Sequence, residues 1–287
     1  MARGIPDQNS HSAFALEKLF GDGDITITRG TPQVPSAAPL TVIFDSRTRH
    51  FEKPEFYGTV ASMGRHALFI ADHKRAWFAN PSVLALIVRV VQDEMRRLGC
   101  TVIDTLGFSM GGFAAIAYAE KLPVRNALAF SPRYAIDKAM VNDARVRPGL
   151  NALGSDAAFR SLDPGLAKLT SAVIVHGTPR DDIVHVRLLR VPQHVDHFVL
   201  FGARHNVPAL LKNLGLLGAV SQAALSQDRA QVVHLLGSLG AQRRSSPSLG
   251  LKLLTLQYRI GLRRFLNRLN GAADGKSGLV GPKTPLH

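Results

Sequence analysis

At 287 residues the chain is long enough for one large domain with its own core, or two small ones. Apolar residues make up 46% of it and charged residues 20%, which excludes a disordered chain, and one cysteine, Cys100, excludes a disulfide framework or a multi-cysteine metal site. The net charge of +14 is uneven: nine of the 35 Lys and Arg, against one of the 21 acidic residues, lie between Gln242 and His287, so the basicity belongs largely to the tail and no nucleic-acid partner is expected.

Met1 to Phe14 is polar and lacks the apolar stretch of a signal peptide, so a cytoplasmic location is expected. Residues 1–38 are mixed, with several Gly and Pro and room for a short strand at Ile25–Thr28. Regular order is expected from Leu40, where Leu40-Thr41-Val42-Ile43-Phe44 is a compact apolar strand, and Ala67–Ala71 is another. From Pro81 to Leu98 apolar residues recur at spacings of three and four, which predicts an amphipathic helix starting at Pro81 and ended by Gly99. Cys100, between this helix and the next strand, reads as a core thiol.

Thr101–Leu106 predicts a strand and Gly112–Lys121 a helix, with Gly107-Phe108-Ser109-Met110-Gly111-Gly112 in the turn between them. Asn126–Phe130 predicts a further strand, and residues 133–170 a small insertion over the sheet ends. Ala172–His176 and His197–Phe201 predict the last strands, and Pro208–Leu217 a helix. Short, nearly continuous apolar strands alternating with helices argue for α/β architecture: a mostly parallel central sheet with helices on both faces. Ligand chemistry in such sheets gathers at the carboxyl ends of the strands.

A serine between glycines at a strand-to-helix turn is a candidate nucleophile. The glycines allow close backbone approach, and the helix N-terminus directs N–H groups at a forming anion. A serine hydroxyl needs a base, and the base an orienting carboxylate. Asp181 and Asp182 follow the strand 172–176, and His205 follows the strand 197–201. His185, His194 and His197 have no recognised metal-ligand spacing.

On Gly107-Phe108-Ser109-Met110-Gly111, the His176–Val184 loop and Gly202-Ala203-Arg204-His205-Asn206, the chain from about Leu40 to about Leu217 resembles the α/β-hydrolase family. The order Ser, Asp, His matches that family's order. The resemblance implies Ser109 as nucleophile, His205 as general base and Asp181 as orienting acid, because Val184 stands three residues after Asp181; Asp182 is the alternative. It places one oxyanion donor at the Met110 N–H and the other on the loop at Asp45-Ser46, with Ser46 preferred. At that loop the chain carries Phe44-Asp45-Ser46-Arg47 where many members carry His-Gly.

The implied organisation is an N-terminal segment 1–39, an α/β-hydrolase domain 40–240 with an insertion about 133–170, and a basic helical extension and tail 241–287. The implied function is a serine hydrolase acting on an ester or related acyl bond of a small molecule, glycan or lipid, with no cofactor and no metal. An acyltransferase using the same triad, and a non-catalytic hydrolase-like module binding a saccharide, lipid headgroup or protein, stay open. Within 249–270, Leu251, Leu254, Tyr258, Leu262, Phe265 and Leu269 form an apolar helical stripe among basic residues. Such a helix suits the domain itself, a protein partner, or an anionic membrane surface, which would make the protein peripheral to a membrane.

Overall fold

Side-chain alternation along the strands explains the architecture. In β3 (Leu40–Asp45), Val42 and Phe44 join one apolar cluster and Ile43 another. The same split recurs in β4 (Ala67–Asp72), β6 (Val124–Phe130) and β7 (Ser171–Gly177), where successive residues go to opposite clusters. Both faces of these strands are therefore apolar and both must be covered, as parallel sheets require. The computed structural model describes residues 14–46, 53–141, 143, 156–245, 253 and 255.

Among the described residues the sheet has nine strands, in the order β1-β2-β4-β3-β5-β6-β7-β8-β9. Strands β4, β3, β5 (Ile103–Phe108), β6, β7 and β8 (Val195–Leu200) are parallel. The hairpin β1 (Phe14–Gly21) and β2 (Ile25–Pro32) adds antiparallel to β4 at one edge, and the two-residue β9 (Gln242–Arg243) adds antiparallel to β8 at the other. The sheet thus begins at Phe14, ahead of the Leu40 start read from the sequence. Five of the eight β1 residues are exposed, so this edge strand carries little apolar pattern.

One face is covered by α2 (Pro81–Leu98), α3 (Met110–Ala117) and α4 (Asp163–Lys168), which contribute Ile87, Val91, Phe113, Ile116 and Leu166 to the first cluster. The other is covered by α1 (Tyr57–Ser62), α6 (Val207–Asn213), α7 (Leu217–Leu225) and α8 (Arg229–Ser238). Helix α2 has the bounds its sequence predicts. Asn80 caps it by accepting from the Ser82 N–H at 2.9 Å, Pro81 occupies its first turn, and Gly99 ends it at φ 66°. Cys100 is only partly buried.

A buried ionic cluster ties the helical layer to the sheet. Asp104, fully buried on β5, binds Arg65 at 2.6 Å, Arg125 at 2.8 Å and the Asn126 amide at 3.1 Å, while Arg65 and Asn126 also donate to the carbonyl of Leu225 at the end of α7. These extra donors satisfy the oxygens of a charge that burial alone would make costly.

The chain divides into two compact units, Met1–Arg244 and Ser245–His287. Of the predicted 249–270 helix only Leu253 and Thr255 are described, both helical; the rest of that segment lies outside the described residues, as does 144–155 of the insertion. No described helix is long and apolar enough to cross a membrane.

Candidate active site

The turn from β5 into α3 holds Ser109 at φ 55°, ψ −111°, a conformation that costs about 1–3 kcal/mol for a side chain with a Cβ. The surroundings enforce it. The Ser109 N–H donates to the Phe130 carbonyl on β6 at 2.8 Å, and its carbonyl accepts from the Phe113 N–H at 3.0 Å. The flanking glycines are required by close approach: a Cβ on Gly107 would overlap the Gly111 carbonyl, and one on Gly111 would overlap the Phe44 carbonyl of β3.

His205 lies in the loop between β8 and α6. Asn206 caps α6, accepting from the Ala209 N–H at 3.0 Å. The His205 carbonyl accepts from the Ser131 hydroxyl at 2.7 Å, and the Phe108 ring lies 5.0 Å from the imidazole. So placed, the imidazole takes the Ser109 hydroxyl hydrogen bond at Nε2 across 2.9 Å. Its Nδ1–H donates to the Asp182 carboxylate across 2.7 Å. The line Ser109–His205–Asp182 is continuous, and each member comes from the carboxyl end of a different parallel strand: β5, β8 and β7.

The acid favoured from the sequence, Asp181, is not the one at His205. The stretch after β7 is not a loop at this point but helix α5 (Arg180–Leu188), on which adjacent residues point about 100° apart. Asp182 faces inward and is fully buried, Asp181 is exposed, and Val184, whose spacing favoured Asp181, is itself 42% exposed. Burial opposes the charged form of Asp182, but the His205 hydrogen bond, followed by the charges of His205 and Arg133, outweighs it and holds the carboxyl down to about 2.

Met110 is the first residue of α3, directly after Ser109, where helix geometry leaves a backbone N–H without an intrahelical acceptor. The other expected donor is engaged. The Ser46 N–H donates to Glu55 at 2.9 Å and its hydroxyl donates to the same carboxylate at 3.1 Å. The Asp45 carboxylate accepts from the Glu55 N–H at 3.2 Å, so Glu55 holds this loop from both residues and the Ser46 N–H is bound to it rather than presented to a substrate oxygen. Sequence spacing gave no sign of this, because Glu55 lies nine residues further on, in the segment leading into α1.

Three buried histidines surround the array without joining it. His176 donates from Nε2 to the Pro132 carbonyl at 2.9 Å and accepts at Nδ1 from His197 at 2.9 Å. Burial pushes His176 down to about 4, and His197 well below its ordinary value. His185 accepts from the Tyr134 N–H at 3.1 Å and donates to Asp143 at 3.0 Å, and burial lowers it too. Among the described residues no group of three or more His, Cys, Asp or Glu is placed to hold a metal ion. A cleft of about 740 Å³ is lined by Lys53, Glu55, Tyr57, Thr59, Asn206 and Lys212 among others, and its lining includes none of Ser109, His205 and Asp182.

No protein-family model matches the chain, and no curated protein matches it in sequence. Solved structures do match. The acylaminoacyl peptidase of Pyrococcus horikoshii superposes with a TM-score of 0.56 at 12% identity, over 78% of this chain and 44% of that one. Carboxyl esterase 2 of the fungus Tuber melanosporum gives 0.50 at 16% identity, over 75% of this chain and 87% of that one. This chain has the α/β-hydrolase fold. The glycosylation-associated protein complex of Streptococcus agalactiae contains a chain that matches with a TM-score of 0.53 at 16% identity, over 76% of this chain and 46% of that one. The present chain thus spans less than half of the peptidase and of the glycosylation-associated chain. Within the α/β-hydrolase fold, the mostly parallel sheet here is extended by the β1–β2 hairpin and by β9.

Proposed function

We propose that this protein is a serine hydrolase that cleaves an ester or related acyl bond through an acyl-enzyme. The observation that carries the reading is the unbroken hydrogen-bond line from the Ser109 hydroxyl through His205 to the buried Asp182 carboxylate. In the proposed reaction the Ser109 oxygen attacks the acyl carbon as its proton passes to His205 Nε2. Asp182 holds the imidazole by Nδ1–H and stabilises the charged ring without taking its proton. The oxyanion forms beside the Met110 N–H at the start of α3. His205 then gives the proton to the departing alcohol oxygen as the acyl carbon–oxygen bond breaks. Water, deprotonated by the same imidazole, attacks the acyl-serine; the acyl carbon–Ser109 oxygen bond then breaks as His205 returns the proton to the serine oxygen, and the acid leaves.

An acceptor other than water enters at the same acyl-enzyme step. The fold likeness to the glycosylation-associated complex is the reason to include sugars as acceptors. The test is turnover of a panel of p-nitrophenyl esters from acetate to decanoate, with and without sugar acceptors, by wild type and Ser109→Ala. Wild-type release of p-nitrophenol that the alanine variant abolishes supports the reading. Release unchanged in the variant moves the nucleophile away from Ser109 and overturns the reading, and release absent for every ester favours the non-catalytic module. Product partitioning to the sugar would make the protein an acyltransferase.

A further inference from the structure

Behind Asp182, on the side away from His205, lies a second charged layer. Arg133, 2% exposed, follows β6 in the sequence Ser131-Pro132-Arg133. Its Nη1 donates to Asp182 Oδ1 across 2.6 Å, while Asp182 Oδ2 takes the His205 proton donor. The Arg133 Nε lies 3.3 Å from Asp143, and Asp143 in turn accepts from His185 Nε2 at 3.0 Å. The Tyr134 N–H donates to the other nitrogen of His185, which pins the backbone carrying Arg133.

We propose that Arg133 is a positioning residue for the serine–histidine–aspartate array: it fixes the rotamer of Asp182 and, with Asp143 as its counter-charge, sets how strongly that carboxylate supports a charged imidazole. This inference rests on the serine-hydrolase reading and deepens it. A carboxylate with one oxygen on a guanidinium and the other on an imidazole has its negative charge shared between two positive partners. The share left to His205 depends on how much of the Arg133 charge Asp143 neutralises. The direct contacts are compatible with this order. Each oxygen of Asp182 has its own partner, so the carboxylate cannot rotate without losing one of them.

Several charged and titratable groups among the described residues face the pair. Ser109 faces His205 from the β5–α3 turn. Arg133 faces Asp182 from the end of β6. Asp143 and His185, from the insertion and from α5, face Arg133, and His176 on β7 lies close enough to feel Asp182, His185 and Arg133. Burial keeps His176 and His185 neutral near pH 7, so of these groups Arg133 and Asp143 are the ones whose charge acts on Asp182 beside His205.

The experiment follows the His205 ring titration by nitrogen-15 NMR in the full chain, which needs no turnover. Arg133→Met removes the competing cation, so the His205 midpoint rises by about one pH unit. Asp143→Asn leaves Arg133 less neutralised, so the midpoint falls by about half a unit. Arg133→Lys keeps the charge and leaves the midpoint within about 0.3 units of wild type, although one ammonium cannot reproduce the fork of contacts. A merely structural role lowers melting temperatures but gives no opposed displacements. Midpoints that stay put, or that move in the same direction in the methionine and asparagine variants, overturn the proposal. If Arg133→Met does not fold, Asp143→Asn and Arg133→Lys decide alone: a fall in the first and no change in the second support it, and any other pair of results overturns it. Because the readout is the ring itself, a failure to label Ser109 would sink the hydrolase reading while leaving this result standing separately.

Discussion

At Asp182 two oxygens serve two partners, and one residue earlier Asp181 serves neither of them. Replacing Asp182 by Asn keeps the volume but removes the charge and favours the wrong imidazole tautomer. Ester turnover is expected to fall by about 10⁴-fold, whereas Asp181→Asn changes it by less than about threefold. Steady-state kinetics on the two variants checks this, and equal losses would contradict the assignment of the acid. Ser109 and His205 were legible because each stands alone in a Gly-flanked turn after an apolar strand. The acid was legible only to within one residue, because adjacent carboxylates look alike until the helix that carries them is known to start at Arg180. Arg133, Ser131 and Glu55 were not legible. Their roles arise from contacts across 49, 74 and 9 residues respectively, and no local spacing encodes such contacts.

Among the elements, the β5–α3 turn is held by β3 and β6 as much as by its own sequence. Gly111 passes so close to the Phe44 carbonyl that Gly111→Ala forces backbone to move. That substitution is expected to cost about 3 kcal/mol in urea denaturation and to slow Ser109 acylation about 100-fold, since the nucleophile shifts with the turn. A variant with native stability and native acylation would contradict the close approach. Helix α2 and strands β3, β4 and β7 were legible to within about a residue or two, because burial dictates their apolar period. The edge strands β1 and β9 were not, because their stability comes from hydrogen bonding to a neighbour rather than from an apolar face.

On the scale of the whole molecule, folding encloses histidines that burial keeps neutral. His176 holds its proton only below about 4, against 6.5 for an unfolded histidine, and His197 and His185 are displaced the same way. The unfolded state therefore binds more protons between those values, so stability falls as the pH drops from about 6.5 to about 4. Asp182 adds a second loss of stability between about 4 and about 2, because its folded value lies below its unfolded one. Melting temperatures measured from pH 7.5 to 4 are expected to decline, with a shallower decline in His176→Gln. A flat profile down to pH 4.5 would contradict the buried neutral pair.

The claim on which the rest depends is that Ser109 is an activated nucleophile in this α/β-hydrolase fold. It is tested most directly by reacting wild type and Ser109→Ala with a fluorophosphonate under native conditions and mapping the adduct by peptide mass. The account predicts one adduct, on the peptide containing Ser109, lost in the alanine variant and strongly slowed in Asp182→Asn. An unlabelled wild-type protein, or an adduct that survives in Ser109→Ala, would contradict it.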